Sequence, residues 1–127
     1  MIKSNLIIKR TEGKWRGVFT TSRIPAKAWI EESPVVVMSK LDRDDLDKTL
    51  LHDYIFAWGK QKDACCMALG WIPLYNHAYQ SNCAYFMYFE QDTIRVKSVQ
   101  SIEAKQELTI IYNGDWNNPD RIWFETE

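Results

Sequence analysis

Two short segments toward the C-terminal end hold the side chains best suited to chemistry. The first is Asn76-His77-Ala78-Tyr79-Gln80-Ser81-Asn82, and the second is Glu107-Leu108-Thr109-Ile110-Ile111-Tyr112-Asn113. The first gathers amides and an imidazole, groups that both donate and accept hydrogen bonds, into one loop. The second closes an apolar strand with a tyrosine whose hydroxyl could face a cleft. On residue types alone, the loop reads as a tight turn feeding backbone hydrogen bonds, and Tyr112 as a core tyrosine with one bonded hydroxyl. No carboxylate–histidine pair is spaced to act as a dedicated general base. Cys65, Cys66 and Cys83 lack CxxC spacing and could recruit only His52 and His77, so no zinc site is expected. Their odd number and the adjacency of two argue against a disulfide framework and for reduced, buried thiols.

Bulk composition narrows the partners. The 127 residues suit one domain, 1–127, large enough to bury a core without staples. Lys and Arg number 16 against 17 acids, so no global field draws nucleic acid or a membrane surface. Any partner must be recognised at a local site. No run approaches the ~20 apolar residues of a membrane span, and Met1-Ile2-Lys3-Ser4-Asn5 lacks the apolar core of a signal peptide. The expected location is intracellular, cytoplasmic or nuclear, with unconventional secretion into a host left open.

Short strands must position the two segments. Leu6-Ile7-Ile8-Lys9 and Gly17-Val18-Phe19-Thr20 are β-like runs split by the Glu12-Gly13-Lys14 turn. Ile24-Pro25-Ala26-Lys27 is a turn. Trp29–Glu32 and Val35–Met38 read as two extended pieces broken by Pro34. One helix is expected next, capped by Ser39 or Asp42, with Leu46, Leu50 and Tyr54 on one face. Tyr54–Trp58 is bulky enough for a strand. Ala84–Phe89 and Thr93–Val96 form a hairpin turned by Glu90-Gln91-Asp92, and Leu108–Tyr112 is the last strand. The core spans about 6–113, with an aromatic tail over 114–127. The class is mostly β with one short helix.

The two polar segments, in this order and about this far apart, resemble the signature motifs of SET-domain lysine methyltransferases. That family carries an Asn-His pair, a second asparagine a few residues on, and later a Glu-Leu-Thr strand ending in tyrosine. Trp15-Arg16-Gly17-Val18-Phe19 is similar to its early glycine-containing turn, and Ile30-Glu31-Glu32 to its acidic pair. Ser22–Lys27 and Ser101–Glu107 resemble the connecting turns, so the likeness runs from about Leu6 to Asn113. Three positions depart from the pattern: Trp15 replaces the first glycine of the early turn, Ala78 a serine and Ser81 a proline. With no cysteine-rich segment on either side, the chain resembles the minimal, free-standing members found in viruses and bacteria.

The resemblance implies a SET-domain fold, small curved sheets around a knot-like crossing where the Asn-His segment meets the Tyr112 strand. It also implies S-adenosylmethionine as methyl donor and a lysine on an extended peptide, in a histone tail or another protein, as acceptor. Trp15, Arg16 and Gly17 would line the donor pocket through the turn. Asn76 would contact the amino-acid end of the donor, and the main chain of His77 its adenine edge. Tyr112 would sit beside the transferred methyl, and Tyr54, paired with it in the catalytic assignment, beside the lysine. Tyr54, Tyr75 and Trp123 would wall the substrate channel, and Trp116 would stack on adenine. No metal is called for. A second copy completing the peptide groove is an open expectation, and the alternative is a catalytically inactive module of SET ancestry that only binds protein.

Overall fold

The computed structural model describes residues 1–13, 16–59 and 63–111. In chain order the strands are β1 (Leu6–Arg10), β2 (Arg16–Thr20), β3 (Trp29–Met38), β4 (Phe56–Trp58), β5 (Ala64–Ala68), β6 (Asn76–His77), β7 (Cys83–Tyr88), β8 (Thr93–Ser98) and β9 (Glu107–Ile110), and the helix α1 (Lys40–Leu46) follows β3. They form two sheets, ordered β1-β2-β9-β6 and β4-β5-β3-β8-β7. All strand pairs are antiparallel except β6 with β9. The described residues adopt the expected mostly-β architecture with one short helix.

Period-two alternation decides which sheet faces meet. Along β8, Ile94 and Val96 are fully buried while Thr93, Arg95 and Lys97 are half-exposed. Along β9, Leu108 and Ile110 are fully buried, which turns Glu107 and Thr109 the other way. Val18, Leu108 and Ile110 of the first sheet join Ile30, Ile94 and Val96 of the second in one core. Each such side chain contributes roughly 1.5–3 kcal/mol by leaving water, so the shared core binds the two sheets together.

Pro34 does not break its strand as the residue pattern predicts. β3 runs unbroken for ten residues because it changes partners there: Trp29–Pro34 pair with β8, and Val35–Met38 pair with β5. A missing N–H at the hand-over removes no ladder bond, which is where a strand proline is tolerated. The helix is also shorter than expected. Ser39 caps it in a reciprocal box with Asp42, but it ends at Leu46. Thr49 then starts a separate 3₁₀ turn, Leu50–Asp53, by accepting from the Leu51 N–H. Leu50 is consequently 74% exposed and shares no buried face with Leu46. Strand β5 lacks the β-branched signal that would announce it, being Ala-Cys-Cys-Met-Ala. All three cysteines are free and buried, and burial pushes the Cys66 thiol up to about 12. Among the described residues no helix is long and apolar enough to cross a membrane.

Candidate functional site

The site grows from β9, whose first residue is a carboxylate. β9 lies between β2 and β6, so the polar face holding Glu107 and Thr109 is reached from both sides. Phe19 of β2 is opposite Glu107, and Asn76 of β6 is opposite Thr109. A 3₁₀ turn, Ile72–Leu74, containing Pro73 and anchored by fully buried Ile72, delivers the chain into β6. Beyond β6 the Ala78 N–H donates to the Ile110 carbonyl at 3.0 Å, extending the parallel register.

Asn76 is the hub of the cluster. Its Nδ2 donates to the Arg16 carbonyl at 2.9 Å and to Glu107 Oε2 at 2.6 Å. Both partners are acceptors, which fixes the orientation of the amide. The opposite side of the group, Oδ1, receives no hydrogen bond from a described residue. Gly17 makes this convergence possible. A Cβ at that position would collide with Glu107 Oε2 and lie 3.0 Å from Asn76 Nδ2. Only glycine leaves room for a carboxylate and an amide against the backbone.

Asn82 holds the loop to the same strand. Its Nδ2 donates to the Glu107 carbonyl at 2.9 Å, and its Oδ1 accepts from the Thr109 N–H at 2.9 Å. One side-chain amide thus bonds to β9 much as a neighbouring strand would. Ser81, standing at the departure from proline, is buried and donates to the Cys83 carbonyl at 2.9 Å. The His77 ring meets Tyr79 edge-on, with centroids 4.8 Å apart.

A second polar node lies on the core side. Glu31 is fully buried and accepts from Ser33 Oγ at 2.7 Å, the Trp71 N–H at 2.8 Å and the Tyr75 hydroxyl at 3.0 Å. Burial outweighs these bonds and raises its carboxyl above the ordinary carboxylate value. The Tyr75 phenol is pushed well up, first by burial and then by the neighbouring Glu31 charge. Gly70, with φ of 73°, passes over the node where any Cβ would strike Ser33 Oγ and Glu31 Oε2.

The described residues therefore bring Arg16, Gly17, Asn76 and His77 together. Tyr75 corrects the expectation of a channel wall. Its ring is fully buried and its hydroxyl is committed to Glu31, because a buried carboxylate must be satisfied. Tyr54 follows the 3₁₀ turn before β4, and no hydrogen bond or ring contact described for it reaches the Asn76 cluster. Trp15, Tyr112, Trp116 and Trp123 lie outside the described residues. Glu107 and Asn82 carry more of the site than their residue types suggest. The usable signal for Glu107 is a charged residue opening an apolar strand, a costly placement without a partner.

Chemically, the cluster offers a carboxylate, an amide whose Nδ2 is taken up by two acceptors, and a side-chain-free backbone corner. Such a corner suits a small ligand that presents N–H donors and positive charge.

Known proteins resemble this chain in sequence and in fold. The family model described as "SET domain" matches residues 15–113. A histone-lysine N-methyltransferase of Schizosaccharomyces pombe, specific for H3 lysine-37, is 33% identical over 132 residues, covering 100% of this chain and 82% of that protein. A solved structure of a candidate histone methyltransferase from Plasmodium falciparum superposes with a TM-score of 0.67 at 22% identity, covering 92% of this chain and 100% of that one. The last likeness speaks to the fold.

Proposed function

This chain belongs to the SET-domain family, and we propose that it is an S-adenosylmethionine-dependent protein-lysine N-methyltransferase acting on a lysine in an extended peptide. The observation that carries the proposal is the Arg16–Gly17–Asn76–Glu107 corner. Its carboxylate and its amide acceptor fit the ammonium at the amino-acid end of a methyl donor. The relative acts on histone H3, so a histone tail is the first acceptor to try, with other cellular proteins after it. Nucleus or cytoplasm is the compartment that suits this chemistry.

When bound, the methyl donor supplies an activated methyl group on a sulfonium. The chain's own residues then bind, orient and exclude water. Asn76 holds the amino-acid end through Oδ1, and Arg16 and Gly17 let the backbone approach closely. His77 would offer its main chain to the adenine edge and Trp116 would cover the ring, in a pocket that requires the Trp15 side chain to leave it open. Tyr112 would stand beside the methyl, where a hydroxyl oxygen accepts weak C–H contacts. Tyr54 and Trp123 would enclose the lysine.

The amine must reach its neutral form before it can react. From a pKa of ~10.4, this costs about 4 kcal/mol at pH 7.5. Aromatic walls lower that cost by desolvating the ammonium, and a nearby positive charge lowers it further. Alignment supplies most of the remaining acceleration, so no dedicated base is required.

The test is transfer of labelled methyl to intact core histones, followed by mapping of the modified residue. Label on a lysine, absent when Asn76→Ala replaces the wild type, supports the proposal. Label on no lysine of histones or of a whole-cell protein extract, from a preparation that binds the donor, would overturn it.

A further inference from the structure

Glu107 bonds to the Asn76 amide in the donor corner, and its position is demanding. The carboxylate occupies the space that a side chain at residue 17 would fill. It opens a strand whose next residue is fully buried. It also shares the Asn76 amide with the Arg16 carbonyl, at 2.6 and 2.9 Å. A strand that needed only shape there could use a neutral residue.

We infer that the Glu107 carboxylate is a positioning residue that locks the Asn76 amide and sets which way round the amino-acid end of the methyl donor enters. The inference rests on the donor pocket proposed above. The lock follows from hydrogen-bond polarity. Rotating the Asn76 amide by half a turn would set Oδ1 against a carbonyl oxygen and a carboxylate oxygen together, replacing two attractions by two repulsions. With Glu107 in place, Asn76 presents an acceptor and only an acceptor to the ligand.

The direction follows from charge. The amino-acid end of the donor carries an ammonium and a carboxylate on the same carbon. The ammonium has N–H donors for Asn76 Oδ1 and is attracted by the carboxylate of Glu107. The ligand's own carboxylate is repelled from that corner and must point away from it. Glu107 thus acts on the non-reacting end of the ligand, and the reacting sulfonium is aligned as a consequence.

Calorimetric titration with two probes tests this. S-adenosylhomocysteine keeps the amino-acid end, whereas 5′-methylthioadenosine lacks it. Glu107→Ala should weaken S-adenosylhomocysteine binding by about tenfold or more, the scale of a lost charge-assisted contact. It should leave 5′-methylthioadenosine within about twofold. Glu107→Gln keeps an acceptor for Asn76 but no charge, so it should fall between, and its deficit should shrink as salt is raised.

Should the alanine variant not fold, the glutamine variant and its salt dependence decide the matter. Equal losses for both probes would mean Glu107 only supports the fold, and no loss for either would mean it does not act on the ligand. Both outcomes overturn the inference while leaving the donor pocket standing. A wild type that binds neither probe would remove the pocket and the inference together.

Discussion

Asn82 is the residue whose loss should most directly loosen the strand on which the site is built. Its side chain makes two bonds of 2.9 Å to β9, donating to the Glu107 carbonyl and accepting from the Thr109 N–H. Truncation to alanine forfeits about 1 kcal/mol for each bond. The carbonyl and the N–H are part-buried, so leaving them without these partners costs roughly another 1 kcal/mol after water has reached what it can. The expected loss is about 3 kcal/mol, against a total stability of roughly 5–15 kcal/mol for a domain. In a thermal melt this is a fall of roughly 10 °C.

Asn82→Asp sharpens the test, because aspartate has nearly the same shape. It can still accept from Thr109, but it sets a carboxylate oxygen against the Glu107 carbonyl. If the amide works by donating as well as accepting, Asp should be no better than Ala in urea unfolding at neutral pH. If it works by filling space, Asp should resemble the wild type. An Ala cost below about 1 kcal/mol, or a wild-type-like Asp, would refute the reasoning.

Three other perturbations bear on separate parts of the account. Gly17→Ala sets a methyl group against Glu107 Oε2 and Asn76 Nδ2; it should cost about 1–3 kcal/mol of stability by overpacking and weaken S-adenosylhomocysteine binding at least tenfold, and unchanged affinity in a calorimetric titration would count against the corner. Glu31 has its carboxyl raised by burial above the ordinary 4.5. The folded state therefore holds this proton more tightly than the unfolded state, and wild-type stability should fall as pH rises from 4.5 through the raised folded value. Urea midpoints of wild type and Glu31→Gln across that range should shift progressively in favour of Gln, and a flat or opposite difference would contradict the burial argument. Tyr112→Phe should fold and bind the donor within a few-fold of wild type while transferring methyl much more slowly; full activity in that variant would remove Tyr112 from its proposed place.

Much of the fold was legible because alternation reports burial wherever one sheet face is covered. Strands β8 and β9 follow that pattern residue by residue, β7 does so from Tyr85 onward, and Asp92 makes the hairpin turn with φ of 48°. Pro34 was misleading because the rule against a proline is local, whereas the change of partner that excuses it is not. Leu46 and Leu50 had helical spacing, but Thr49 restarts the chain between them.

The site divides along the same line. Asn76 and Gly17 stand out by type and motif. The pairings that give them meaning, Asn76 with Glu107, Asn82 with β9 and Glu31 with Tyr75, span 31, 25 to 27, and 44 residues. No local pattern contains such pairings. Tyr75 reads as a channel wall from its neighbours alone, because the burial of Glu31, 44 residues away, is a tertiary fact.

The account as a whole stands on a methyl-donor pocket built around Asn76. Saturation binding of S-adenosylmethionine to the purified chain, with Asn76→Ala alongside, tests it most directly. Micromolar binding in the wild type and its loss in the variant are the predicted results. No binding at millimolar donor would contradict the account, and it would point to Trp15 closing the pocket of a protein that retains the SET fold without its chemistry.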